Sequence, residues 1–133
     1  MAGETPLPVE NYPDVVGYAN IPIHISVAGT GQTVWPLIYA ERALVIDSIR
    51  VIVGLADAVE TATIEAKTTV ASGGTAVHSS TFDLSSTAGT MLTATIDTAN
   101  NVVAAGSFLN FVAASALDNF SGIVQIRYRT KFK

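Results

Sequence analysis

The feature that most limits what this chain can fold into is its load of β-branched residues set in short alternating runs. Val, Ile and Thr make up 41 of the 133 residues, and such side chains favour a pleated, half-buried surface. From Ile21 a period of two is plain: Ile21, Ile23, Ile25 and Val27 point one way, His24 and Ser26 the other. Gly29-Thr30-Gly31 marks a turn, and residues 34–40 read as a second extended segment, interrupted by Pro36 as suits an edge or a strand end. Across residues 44–53 the apolar parity moves from 44 and 46 to 49, 51 and 53. That one-residue shift predicts a β-bulge at Asp47-Ser48.

The following stretch has two periods. Positions 55, 58, 59, 62 and 66 fit a helix, whereas 62, 64, 66, 68 and 70 fit a strand; Thr61, Thr63, Thr68 and Thr69 favour the strand. Ser72-Gly73-Gly74-Thr75 reads as a hairpin turn, residues 77–84 and 91–96 as two further strands, and residues 97–101 as another turn. Residues 108–114 are apolar on both faces, as expected of a strand covered on both sides by another sheet or another subunit. Residues 122–132 alternate again. About eight strands, with turn signals roughly every 10 to 14 residues and no long helix, predict an all-β, antiparallel, jelly-roll-like sandwich over residues 16–133.

Residues 1–15 differ in kind. Pro6, Pro8 and Pro13 remove backbone donors and hold the chain extended, which predicts an N-terminal arm. Fifteen extended residues reach roughly 50 Å, so the expected anchor is a neighbouring subunit, contacted through Pro6, Pro8, Tyr12 and Pro13.

Composition narrows the function. A chain of 13.8 kDa can bury about two-thirds of its surface, enough for a core without metals or disulfides, and there is no cysteine for thiol chemistry. No apolar run approaches the roughly 20 residues of a membrane span, and the amino terminus lacks the basic and apolar regions of a secretory signal. The net charge of -4 argues against a nucleic-acid partner. The two histidines, His24 and His78, read as solvated surface imidazoles with no metal-ligand spacing. Asp57, Glu60 and Glu65 lack a calcium-loop pattern and read as solvated loop acids, with Glu65 and Lys67 a surface pair. No GxSxG elbow, phosphate loop or GxGxxG run occurs. No enzyme, cofactor or metal site is therefore predicted.

Two constellations remain. Trp35, with Tyr39 on the same strand face, suggests a sugar-stacking platform, and hence a carbohydrate-binding or adhesin module that takes a glycan. The other is charge. Arg127, Arg129, Lys131 and Lys133 carry four of the seven basic residues, so residues 1–126 hold three positive and eleven negative charges. At a spacing of two the basic residues share one face of the last strand, with Tyr128 and Phe132 on the other. They read either as the charged guard of an edge strand or as the seat of an acidic partner.

The acidic chain, its proline-rich arm, the strand Phe108-Leu109-Asn110-Phe111-Val112 and the ending Gly122-Ile123-Val124-Gln125-Ile126-Arg127-Tyr128-Arg129 together resemble the small jelly-roll capsid decoration (cement) proteins of tailed bacteriophages. The resemblance spans residues 16–133 and rests on style and strand order. It implies a homotrimer on the outer surface of the virion capsid that binds and stabilises the lattice of major capsid protein. No family site residue carries over.

Overall fold

The computed structural model describes residues 14–24 and 31–132. Nearly all of the arm predicted for residues 1–15 lies outside these, including Pro6, Pro8, Tyr12 and Pro13. So do Ile25, Ser26 and Val27, most of the Gly29-Thr30-Gly31 turn, and Lys133.

Ten strands form two five-stranded antiparallel sheets: β1 (Val15–His24), β2 (Val34–Tyr39), β3 (Leu44–Leu55), β4 (Thr61–Lys67), β5 (Thr75–Ala76), β6 (Phe82–Asp83), β7 (Met91–Thr93), β8 (Val102–Val103), β9 (Phe108–Ala113) and β10 (Ser121–Thr130). The first sheet runs β1-β10-β3-β7, with β8 also on β3; the second runs β2-β9-β4-β5, with β6 also on β4. First strand therefore pairs with last, second with second-last, and so inward to β4 with β5 and β6. Counting β5 with β6 and β7 with β8 as interrupted single strands leaves eight segments in the nested pairing of a jelly roll.

The alternation decides which side chains meet. Ile23, Val124, Ile126, Val51 and Val53 from the first sheet, and Ile64, Leu109 and Phe111 from the second, are buried in one cluster. Burial of each such side chain is worth about 1.5–3 kcal/mol. Phe120, in the loop entering β10, stacks on Phe111 at 6.3 Å between ring centres.

The predicted bulge is present. Arg127 pairs with Ser48 and Tyr128 with Ile46, leaving Asp47 as the extra residue of β3. Besides a register shift that leaves Gly54 unpaired in β3, a further bulge, which periodicity does not betray, leaves Leu37 unpaired in β2. It changes the reading of the aromatics. Trp35 stands opposite Phe111 and Tyr39 opposite Phe108, three residues apart on β9 and hence on opposite faces of the sheet. Trp35 packs edge-on against Phe111 at 5.7 Å, while Tyr39 is exposed on the outside. The two form no common platform.

Of the strand expected over 77–84 only β6 (Phe82–Asp83) forms, well after β5 (Thr75–Ala76) has ended, and His78 stands in the gap between them. Its imidazole is buried, not solvated. Nε2 accepts the Ile64 N–H at 2.9 Å and Nδ1 donates to the Ser80 carbonyl at 2.6 Å. A side chain thus takes the ladder position on β4 that a backbone carbonyl would fill, and the strand resumes at Phe82, opposite Ala62. Both faces of β9 are covered, as expected, but the outer cover comes from the same chain. Residues 68–74 fold back so that Asn110 Nδ2 donates to the Thr69 carbonyl at 3.0 Å and Glu65 Oε1 accepts the Gly74 N–H at 2.9 Å. Lys67 donates to the Ser72 carbonyl, so Glu65 and Lys67 serve this loop and not each other.

Candidate docking face

The last strand is not an edge. β10 lies between β1 and β3, because the jelly roll brings the two ends of the chain together, and the reading of its charges as an edge guard is overturned. Arg127 and Arg129 do share the outer face, with Tyr128 turned inward against the core. Their environments differ. Arg129 Nε and Nη2 grip Asp47 at 2.9 Å and 3.1 Å, and Nη1 reaches Asp14 at 3.4 Å. The bulge that makes Asp47 the extra residue of β3 thus sets its carboxylate against β10. Lys131 follows the end of the strand, its N–H donating to the Ala43 carbonyl, and the Phe132 ring lies under the Arg42 guanidinium at 4.9 Å.

Arg127 has no carboxylate within ion-pair distance among the described residues, nor has Arg50. The register brings the two near each other. One row across the sheet reads Tyr18, Arg127, Ser48; the next reads Asn20, Gln125, Arg50. These six side chains line a depression of about 340 Å³. It presents two guanidinium groups, two amides, a hydroxyl and a phenol: a surface of hydrogen-bond donors over a cationic centre, on a molecule whose net charge is negative.

Apolar side chains border that centre on the same face. Pro22, Ile123, Ile52 and Met91 form the next row, and Val16 and Val102 lie on the other side of it. Ten large apolar side chains are exposed among the described residues, and six of them, Val16, Tyr18, Leu55, Met91, Val102 and Ile123, project from this one sheet face. Exposed apolar side chains gathered on one face make it a candidate interaction surface. Of the residues singled out from sequence as partner contacts, Arg127 lies at the centre of the face and Arg129 is tied to Asp47 and Asp14 beside it. Arg50, Asn20 and Gln125 were missed, since only strand pairing brings them to Arg127.

The loop acids have structural work. Asp57 is buried, and its Oδ2 accepts the N–H groups of Asp118 at 2.7 Å and Asn119 at 3.2 Å. Burial pushes its carboxyl up, but backbone donors from residues 118, 119, 59 and 58 outweigh that and hold it below the ordinary 3.8. Glu60 accepts the Ser115 N–H at 3.1 Å as well as the Ser115 hydroxyl. Both carboxylates tie the β3–β4 loop to the β9–β10 loop. Among the described residues no group of three His, Asp or Glu could hold a metal ion, and no helix is long and apolar enough to cross a membrane.

No protein-family model matches this chain, and no curated protein matches it. Among solved structures, a subunit described under "Bacillus endospore appendages form a novel family of disulfide-linked pili" aligns over 96% of this chain and 100% of its own, at 13% identity and a TM-score of 0.44.

Proposed function

We propose that this chain is a structural virion protein that decorates and stabilises a tailed-phage capsid, binding the lattice of major capsid protein on its outer surface and performing no catalysis. One observation carries the reading: the outer face of the β1-β10-β3-β7 sheet combines most of the exposed large apolar side chains with Arg50 and Arg127, which lack an ion-pair partner among the described residues. A stiff sandwich offering such a face suits adhesion, with the apolar border excluding water and the arginines selecting an acidic surface. Many copies on a repeating shell multiply a weak contact if neighbouring copies are themselves joined.

The test is co-sedimentation of the purified protein with empty heads assembled from the same phage's major capsid protein. Saturable binding that raises the temperature at which the heads rupture is expected. The glycan-binding alternative has no comparable support, because Trp35 and Tyr39 lie on opposite faces; a glycan array would show specific binding only if that alternative held.

A further inference from the structure

Two sheets have four edges, and three of them are blunt. β2 is six residues long and carries Pro36 and the Leu37 bulge. The β5/β6 edge consists of two two-residue pieces, and the β7/β8 edge of pieces of three and two residues. β1 is different. Its ten residues pair with β10 in unbroken register from Val15 opposite Thr130 to His24 opposite Ser121, and its other side meets no strand among the described residues. Residues 15–21, Val-Val-Gly-Tyr-Ala-Asn-Ile, contain no charge and no proline, and the strand's one proline, Pro22, comes third from its end. Long, neutral, β-branched edges template pairing with another strand, and proteins ordinarily guard them.

We propose that β1 pairs antiparallel with β1 of a second copy, making one continuous sheet across a two-fold axis. The blunt edges identify the occupant: among the described residues, the only edge of matching length that a second copy offers is its own β1. A strand paired with itself is self-complementary and closes at two.

The register follows from parity. Directly opposite residues share a sheet face, so each must meet one of its own parity, and the axis passes through a residue. Centred on Ala19, the pairing sets Val16 against Pro22, Tyr18 against Asn20 and Gly17 against Ile21. It also sets the Asp14 carboxylate against the His24 imidazole at both ends. Centred on Asn20, it would carry Asp14 past His24 and lose that complementarity.

The natural chain has no cysteine, which makes the test direct. Tyr18 and Asn20 are exposed, and directly opposed antiparallel residues lie about 4.5–5.5 Å apart at Cα, within disulfide range. Mixing Tyr18→Cys with Asn20→Cys under mild oxidation should give mixed disulfide dimers in excess of either like-with-like dimer. They should form faster than with Val59→Cys, a loop position 83% exposed that reports random collision. Light scattering on the wild type should give twice the 13.8 kDa chain mass, falling to one on Val16→Lys. A wild-type mass of one chain, or of the three that the decoration-protein resemblance implies, would overturn the proposal, as would mixed crosslinking no faster than the Val59 control. An excess of the Asn20→Cys homodimer would overturn the Ala19 register. A chain that stays single until heads are added would assign the edge to the capsid protein instead. All but the last readout use free protein, so they stand or fall independently of capsid binding.

Discussion

The imidazole of His78 accepts the backbone N–H of Ile64 at 2.9 Å, standing in for a strand where β5 stops and β6 has not begun. Only the neutral ring can do this, since a proton on Nε2 would turn the acceptor into a donor facing a donor. Burial holds the His78 pKa below the ordinary 6.5, against the opposing pull of the Ser80 carbonyl and of Glu65. The folded state therefore binds fewer protons than the unfolded chain, and His78's contribution to stability is complete above about pH 6.5 and is lost as pH falls toward the depressed value. Thermal unfolding should show a lower Tm at pH 5 than at pH 7.5. His78→Ala should flatten that difference and cost about 2–4 kcal/mol at neutral pH, from the orphaned Ile64 N–H and the cavity left.

Asp57 joins loops 61 residues apart in sequence. Asp57→Ala should lower stability by about 1–3 kcal/mol, because two backbone N–H groups lose a charged acceptor. Its depressed pKa puts its own stabilisation above pH 3.8, to be lost as pH falls below that. Chemical denaturation of Asp57→Ala and Asp57→Asn at pH 7 checks this, with the Asn carbonyl expected to recover part of the loss.

Gly17 lies opposite Tyr128 across β1 and β10, and the phenol ring occupies the space a Cβ would take. Gly17→Ala should force the ring off the strand and cost about 1–3 kcal/mol. The pair should be coupled, so that in Tyr128→Ala the same glycine substitution costs much less; a double-mutant cycle by denaturant unfolding measures it.

Local pattern carried most of the strands and the bulge at Asp47, since a parity shift inside an apolar run has one simple cause, but it missed the first six residues of β1 and set a strand over 77–84 of which only Phe82–Asp83 forms. It could not reveal the Leu37 bulge, because Val34-Trp35-Pro36-Leu37-Ile38 is apolar at every position and shows no parity to break. The burial of His78 was hidden for another reason: its partner is a backbone N–H 14 residues upstream. The docking face was half legible. Arg127 stands out by charge, but its neighbours Arg50 and Tyr18 come from β3 and β1. Which strands flank β10 is a matter of chain topology, and no property of residues 121–130 records it.

The claim that adhesion runs through the outer face of the β1-β10-β3-β7 sheet is tested most directly by reversing its cationic centre. Arg50 and Arg127 are both exposed, so Arg50→Glu/Arg127→Glu should keep the wild-type Tm. Head binding by co-sedimentation should weaken more than about tenfold, as expected when like charges are set against an acidic partner. Undiminished binding by the folded double variant would contradict the account.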